Sequence, residues 1–570
     1  MNNKELASLF SRIALYLEID DVPFKPQAYV RAAGAIESLS EHIEEMYKRG
    51  GLRELEQIPG VGKSIAGKIE EYIKTGTIQE YERLRKKIPV DIEELTSVEG
   101  VGPKMVRDLY KLLNVRTLED LEKAAKAGKV RALPHFGEKT EQNILQGIDF
   151  VKRSKGRWLL GNIYPYVEEL TSKLQGSSVV QRAVAAGSIR RMKETIGDVD
   201  ILVTTSKPEK AIEYFLSLVS YEKIWGKGQT KVSVHTTEGF DIDMRVLPEE
   251  VFGAGLQYFT GSKEHNVRLR TYAQSKGYTL NEYGLFFGKK RIACKTEKEV
   301  YAALGCSYID PELREDQGEI DKAIAGKLPK VISYESLRGD LQTQTNWTDG
   351  KDSVEAMAKE AKRQGLEYIA VTDHTRDLAM TGGMDEGKLL SQMREIDRVR
   401  KKVSGIAILK GAEVNIRKDG SLDIADEVLA KLDVVGASVH SNFKMSKKDM
   451  TARIIRAMEN PHVDILFHPT GRIIQKREAY EVDMDVVIAQ AKKTGTILEI
   501  NAFPERLDLK DSDIKKAVQE GCKMAINSDA HAAEHIGYLK YGIAQARRGW
   551  VERENIINTY PLEKMLSLLK

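Results

Sequence analysis

Along the first 150 or so residues the apolar positions recur at helical spacing, beginning with the opening stretch MNNKELASLFSRIALYLEID. One short pattern occurs three times: IPGVGKSIAGKI at 58–69, VEGVGPKMVRDL at 98–109, and a looser LPHFGEKTEQNI at 133–144. In each, a Gly-rich turn leads straight into an amphipathic run such as Ile65, Ile69, Tyr72 and Ile73. Self-similarity of this kind predicts a repeated helix, tight turn, helix unit. From about 151 to 316 the rhythm changes to strands alternating with helices. DVDILVTT (198–205) and KVSVHTTEGFDIDMRVLP (231–248) alternate apolar and polar residues, with a turn expected at Glu238-Gly239. After a connecting stretch at 317–335, β-branched runs such as YIAVTDH, IAILKGAEV, DVVGASVH, VDILFHP, TILEINA and MAINSDAH alternate with helical segments from Leu337 onward. That is the rhythm of a βα barrel, in which chemistry sits at the C-terminal ends of the strands.

At 570 residues the chain is too long for one core, and roughly 100–200 residues per domain predicts three to five compact units. The composition, 41% hydrophobic and 30% charged, is that of a globular chain, and no run reaches the ~18–20 apolar residues of a membrane span. The first residues lack the basic start and unbroken apolar run of a signal peptide, so a cytoplasmic protein is expected. Cys294, Cys306 and Cys522 are too scattered for a disulfide framework or a thiolate zinc site. With a formal charge of only +3, any nucleic-acid contact must come from local patches.

The repeated turns supply one such patch. Gly60, Gly62, Gly100 and Gly102 lack a Cβ, so a phosphate can approach the backbone while the free N–H groups of the next helix point at it. A single G-x-G ahead of a helix is as often an ordinary turn; two close copies and a degenerate third favour a grip on a nucleic-acid backbone without base reading. The pattern resembles helix–hairpin–helix motifs.

Three carboxylates form the first chemical constellation. Asp198 and Asp200 fall on one face of a strand, and a neighbouring strand can add Asp243. Clustered acids repel unless cations lie between them, and two Mg²⁺ ions so held can orient a triphosphate, activate an attacking hydroxyl and stabilise leaving pyrophosphate. Upstream, AAGSIRRM offers Gly187, Ser188, Arg190 and Arg191, a small-residue turn with cations suited to phosphate oxygens. An isolated Asp-x-Asp is more often a solvated pair, but the ordered combination is far more specific.

In motif order and local sequence, residues 1–316 resemble family X DNA polymerases, the polymerase-beta-like group, through GSIRR…GDVDILV, DIDMRVLP and YFTGSKEHNVRLR. The resemblance implies that Asp198, Asp200 and Asp243 hold Mg²⁺ or Mn²⁺, Asp243 activating the primer hydroxyl, and that Ser188 and Arg191 beside Gly187 hold the triphosphate. It places Tyr258, Phe259 and Gly261 against the incoming sugar, and Asn266 and Arg270 at the minor groove of the nascent pair. The alternative for the two aromatic residues is ordinary core packing. The amino-terminal helices are similar to the family's small 5′-phosphate-binding domain. That likeness implies Lys25 and Tyr29 as phosphate contacts and Lys68 as a Schiff-base lysine of a lyase activity, although Ser64 stands where polymerase beta has another lysine. Most lysines on a helix are simply solvated.

The second constellation comprises Asp349, His374, Glu413, His440, His468, Asp529 and His531. One histidine after a strand is usually structural; a series at successive strand ends points to metal, and these donors suit Mn²⁺, Zn²⁺ or Fe²⁺. Order and spacing resemble the PHP domain appended to bacterial family X polymerases. The likeness implies metal-assisted phosphoester hydrolysis, as 3′→5′ exonuclease or abasic-site endonuclease activity. The PHP pattern commonly has His-x-His at 342 and 344; this chain has Gln342 and Gln344, poorer ligands for transition metals. A metal-binding domain with one weakened ion site is expected.

The expectation is therefore a multidomain α+β and α/β protein. Its parts are a helical 5′-phosphate-binding domain at 1–80, a fingers-like helix–hairpin–helix domain at 81–150, a nucleotidyltransferase palm at 151–248, a thumb at 249–316, a linker at 317–336 and a PHP (βα)7-type barrel at 337–570. It would act as a monomer on gapped or primed DNA with dNTPs in repair, away from membranes. Two other classes remain: a PHP nuclease or phosphoesterase whose amino-terminal part only delivers DNA, and a non-catalytic DNA-end-binding scaffold.

Overall fold

The computed structural model describes residues 3–570 apart from 38, 40, 41, 59, 99, 135 and 155, so Pro59, Glu99 and His135 of the repeated turns lie outside the described residues. The chain forms two compact units, 1–155 and a second spanning 156–474 and 478–570. Among the described residues no helix is long and apolar enough to cross a membrane.

The first unit is helical, running from Asn3–Ile19 to Glu138–Ser154. Buried residues from Leu6 to Ile148 belong to one continuous hydrophobic cluster. The expected boundary near residue 80 therefore does not separate two cores: Leu84, Val90 and Leu95 pack in the same cluster as Ile65 and Ile69.

The second unit opens with a five-stranded sheet. Its strands are β1 (Arg182–Ala185), β2 (Asp198–Thr204), β3 (Tyr221–Lys227), β4 (Lys231–Thr236) and β5 (Asp241–Leu247), in the order β1-β2-β5-β4-β3. Only β2 and β5 pair in parallel. Period-two alternation sorts β2: Val199, Ile201 and Val203 face a core shared with the helices Leu160–Gln175 and Pro208–Leu218, which leaves Asp198 and Asp200 on the other face. A thumb follows, with the antiparallel strands β6 (Tyr278–Asn281), β7 (Gly284–Phe287) and β8 (Lys290–Ala293). The stretch 317–336 is not a free linker. Its helix Glu319–Ile324 buries Ile320 and Ala323 in the thumb core, and Glu319 lies 2.7 Å from Nδ1 of the buried His265.

The remainder is a seven-stranded parallel sheet: β9 (Gly339–Thr343), β10 (Tyr368–Val371), β11 (Ala407–Asn415), β12 (Val434–Ser438), β13 (Ile465–Leu466), β14 (Ile497–Asn501) and β15 (Met524–Asn527), in sequential order. A bridge between Thr343 and Ala530 and a hydrogen bond from the Leu341 N–H to Asn527 join its two ends into a barrel. Large rings fill the space over glycines inside it. A Cβ on Gly436 would lie 1.9 Å from the Phe467 ring and one on Gly339 2.0 Å from that of Tyr368.

Barrel and palm share a core. Leu507, Tyr541 and Ala544 of the barrel pack in the same cluster as Val199, Ile201 and Phe215. Pro504 stands so close to Gly161 that a Cβ there would meet it at 2.3 Å, and Arg472 hydrogen-bonds Glu194 at 2.7 Å. Removing buried methyl groups from such a cluster costs about 2–5 kcal/mol. Leu507→Ala is therefore expected to lower the calorimetric midpoint of palm and barrel together; a palm transition that stays put would show the two to be independent.

Thumb and palm are joined by a buried ion network. Glu297 takes two hydrogen bonds from Arg190, at 2.9 and 2.7 Å, and one from Arg314 at 2.6 Å. Burial opposes the charge on Glu297, but the two arginines win and hold its carboxyl at about 2, against an ordinary 4.5. A depressed folded-state pKa contributes stability that is complete above the unfolded value and is lost as pH falls through the folded one. The contribution is about 3 kcal/mol, fading from about pH 5 downward. Glu297→Gln should lower the denaturant midpoint at neutral pH and flatten its decline between about pH 5 and pH 3, measured by urea titration.

Candidate active sites

The parallel register of β2 and β5 pairs Asp198 with Asp241 and Asp200 with Asp243. Facing them is the turn Gly187–Arg190, where Gly187 has φ +63° and a Cβ would lie 2.9 Å from Asp200 Oδ2. Only glycine lets that turn approach the carboxylate. Burial, then the charges of Asp198 and Asp243, push the Asp200 carboxyl up to about 6. Burial also opposes the charge on Asp243, but hydrogen bonds from Lys231 and Ser233 bring its carboxyl below the ordinary range. Lys231 Nζ stands 2.8 Å from Asp243 Oδ2, an ammonium where a cation would sit. With Asp243 drawn toward Lys231 and Ser233, the palm aspartates do not gather three ligand atoms within 4.8 Å.

A cleft of about 440 Å³ in front of these acids is lined by Gly187, Ser188, Arg191, Asp198, Asp200, Tyr258, Phe259, Gly261, Asn266 and Arg270. Tyr258 and Phe259 end the helix Phe252–Thr260, their rings edge to face at 5.2 Å. The Asn266 amide donates to the Tyr258 carbonyl at 2.6 Å and accepts from Gln257 at 2.9 Å, tying the turn at Gly261 to the next helix. Arg190, expected as a phosphate cation, is committed to Glu297 and Thr260. Arg157, Lys193 and Lys263 also line the cleft and were not singled out by the sequence. Lys231 and Ser233 could have been: they alternate on β4 in register with Arg245 and Asp243.

The barrel's polar residues lie at or just beyond the C-terminal ends of its strands. Gln342 and Glu413 lie within β9 and β11; Gln344, His374, His440, His468, Asp529 and His531 follow β9, β10, β12, β13 and β15. Two groups each bring three ligand atoms within 4.8 Å of one another: Asp349, His374 and His531, and His374, Glu413 and His440. Burial opposes the charge on Glu413, but His374 and His440 outweigh it and hold the carboxyl well below its ordinary range. Burial lowers His440 to about 4. For His531, burial is outweighed by Asp349 and Asp529, which raise the imidazole to about 9. Nδ1 of His374, Nδ1 of His468 and Oε1 of Gln344 are buried without hydrogen-bond partners. The imidazole lone pairs suit a metal ion, and the Gln344 oxygen is a weaker donor.

The other expected ligands lie differently. His468 Nε2 is 2.8 Å from Glu413 Oε1 but falls in neither group. Asp529 accepts from Asn501 at 3.1 Å and pairs with Arg506 at 3.3 Å. Gln342 and Gln344 turn their amide N–H groups to Glu413, at 3.1 and 2.8 Å. The carboxamides thus offer hydrogens, not lone pairs, to the shared carboxylate.

In the helical unit the first two turns match closely. Gly60 and Gly100 have φ +79° and +85°, and Gly62 and Gly102 cap the following helices at φ −88° without a side-chain cap. A Cβ on Gly62, Gly100 or Gly102 would meet nothing within 4 Å, so the helix starts face open space. Lys25, Tyr29, Gly60, Gly62 and Lys68 line one cleft of about 930 Å³, with Lys63 and Arg83 beside them. Lys68 is ion-paired with Glu80, which also accepts from the Tyr29 hydroxyl at 2.7 Å. Burial raises the Glu80 carboxyl, but these two donors bring it below the ordinary range.

Residues 1–78 match the helix–hairpin–helix domain model, 92–149 the SAM-like helix–hairpin–helix tandem, 255–315 the DNA polymerase beta thumb and 340–503 the PHP domain. The chain is 32% identical to a probable phosphatase of Thermoanaerobacter sp. (strain X514), over 35% of this chain and 82% of that protein. It is 31% identical to a probable phosphatase of Shewanella sediminis, over 37% of this chain and 83% of that protein. Across its whole length the chain is 35% identical to the DNA polymerase/3′-5′ exonuclease PolX of Bacillus subtilis (strain 168), covering all of both proteins. Hairpins, thumb and PHP barrel are thus matched in chain order and the full length by one relative, and the chain belongs to the PolX family, family X polymerases that carry a PHP domain.

Proposed function

We propose that the chain is a DNA-directed DNA polymerase that adds dNTPs to a primer 3′-hydroxyl at short gaps during repair. The observation that carries this reading is the register pairing of Asp200 with Asp243, beside Asp198 and against the Gly187 turn. Mg²⁺ or Mn²⁺ held by the three carboxylates would activate the primer hydroxyl and stabilise pyrophosphate. Ser188 and Arg191, with Lys193 and Arg157 beside them, receive the triphosphate. Asp243 stands ready to take the hydroxyl proton once Lys231 yields its place. Tyr258, Phe259 and Gly261 flank the sugar, and Asn266 and Arg270 reach the base pair's minor groove. The helical unit grips the downstream 5′-phosphate through Lys25, Tyr29 and Lys68 and the duplex backbone through its two glycine turns.

For the barrel the reading is metal-assisted phosphoester hydrolysis, acting as a 3′→5′ exonuclease, with Mn²⁺, Zn²⁺ or Fe²⁺ at the two residue groups around His374. Asp349, His374, Glu413, His440 and His531 fit such ions as they stand. Asp529, compensated by Arg506, lies on a side where an ion is disfavoured, and from that side the two glutamine amides approach Glu413.

Two measurements test these centres. Asp243→Ala removes an ion ligand and no phosphate grip. It should cut primer extension at least about a thousandfold while affinity for gapped DNA stays within about threefold, in a gap-filling time course and a gel-shift titration. Extension near the parent level would refute the assignment. Gln342→His combined with Gln344→His should raise the Mn²⁺ retained per chain by about one ion and speed Mn²⁺-dependent primer shortening, read by elemental analysis and by digestion. Unchanged metal content would mean that the glutamines do not limit the site.

A further inference from the structure

The segment 310–315, which follows the thumb's last buried turns, is gripped by two consecutive arginines at the end of the barrel helix Leu539–Arg548. Arg547 donates to Glu312 at 2.8 Å and lies 3.4 Å from Asp310. Arg548, with only 3% of its side chain exposed, donates from Nη1 to Glu315 Oε1 and to the Arg191 carbonyl, both at 3.1 Å, and from Nη2 to Asp511. Glu315 is therefore shared. The same Oε1 accepts from Arg191 Nε at 2.9 Å, and Lys193 Nζ stands 3.7 Å from Oε2.

Arg191 and Lys193 line the palm cleft together with Gly187 and Ser188. A carboxylate of the protein's own thus sits on cations that face the cleft, in competition with any phosphate that enters. With Arg548 present the cluster sets three cations, Arg191, Lys193 and Arg548, against the two carboxylates Glu315 and Asp511. Without Arg548 the charges balance, and Glu315 has no partners but Arg191 and Lys193 among these cations. An anionic ligand then meets a cradle already neutralised. The bond to the Arg191 carbonyl also fixes the end of the Gly187 turn.

We infer that Arg548, although it belongs to the barrel, is a positioning residue for the polymerase reaction: by sharing Glu315 it keeps that carboxylate from neutralising Arg191 and Lys193, which stay available to the triphosphate of the incoming nucleotide. The inference rests on the polymerase reading above. It gives the barrel a part in nucleotide addition that does not depend on its own metal centre.

The test is single-nucleotide insertion by the full chain on gapped DNA, with KM for the dNTP, kcat, and the inhibition constant of inorganic pyrophosphate, for the parent, Arg548→Met, Arg548→Lys, and Arg548→Met combined with Glu315→Gln. Arg548→Met should raise KM and weaken pyrophosphate inhibition about tenfold, on the order of one charge-assisted hydrogen bond, with kcat within about twofold. Arg548→Lys should fall between it and the parent. Adding Glu315→Gln should restore most of the lost affinity, because the competing carboxylate is gone; a merely structural defect would not be repaired by deleting a second buried partner. Unchanged KM in Arg548→Met, or a loss that Glu315→Gln fails to reverse, overturns the inference. A parent chain that inserts no nucleotide overturns the polymerase reading itself, and the inference with it.

Discussion

A carboxylate removed from water must find a cation, accept enough hydrogen bonds to substitute for one, or keep its proton. Much of the second unit is arranged around that constraint. Glu297 lies between Arg190 and Arg314, Glu312 against Arg547, and Glu315 among Arg191, Lys193 and Arg548. These acids are satisfied within the chain and join palm, thumb and barrel. Glu499, fully buried and hydrogen-bonded by the amides of His468, Asn501 and Asn527, is pushed well above its ordinary value, first by burial and then by Asp529. Asp200 is the least compensated, and Glu413 finds its compensation in imidazoles and carboxamides. Asp200 faces other acids, and Glu413 faces imidazoles whose remaining nitrogens include unpartnered ones. What separates a site from structural cement here is the kind of neighbour, other carboxylates at Asp200 and imidazoles at Glu413, and both sets of groups suit a divalent cation.

Seen this way, the glutamines at 342 and 344 are a local change of solution. Histidine in either place would offer Glu413's neighbourhood another lone pair for an ion. The carboxamides instead donate hydrogens to Glu413, and Arg506 supplies a fixed positive charge to Asp529. The acids on that side are held by protein groups, while the side formed by Asp349, His374 and His531 keeps donors that point at one another across an ion-sized gap.

Much of this was legible in the sequence because it depends on short periods. The period-two alternation of DVDILV placed Asp198 and Asp200 on one face, and the apolar runs before His374, His440 and His468 marked strand ends. The glycine turns at 60–62 and 100–102 were visible as a repeat, and their backbones agree within a few degrees. What local pattern could not show is partner choice between distant residues. Arg190 and Arg191 are neighbours with the same chemistry, yet one is bound to Glu297, 107 residues away, and the other lines the cleft beside Glu315. The stretch 317–336 is rich in the Gly, Lys and Pro of a connector, but Ile320 and Ala323 give it a packed face on the thumb. Arg506 and Arg548 carry no motif; their importance exists only once the barrel has closed.

The shared core explains why a barrel with an altered ligand set is still built to full packing. Leu507, Tyr541 and Ala544 complete a cluster that also contains Val199 and Ile201 of the strand carrying the palm aspartates. Any loosening of the barrel would reach that strand through close-packed side chains, since such an interior has no slack to absorb it. Gln342 and Gln344 lie at the barrel's open end, apart from Tyr368 and Phe467, which fill the interior, and from the helix ending in Arg547 and Arg548. Requirements on the ligand set and on the scaffold therefore act on different residues. The scaffold residues complete the palm's core directly, so the barrel's fold and the strand carrying Asp198 and Asp200 are packed as one body.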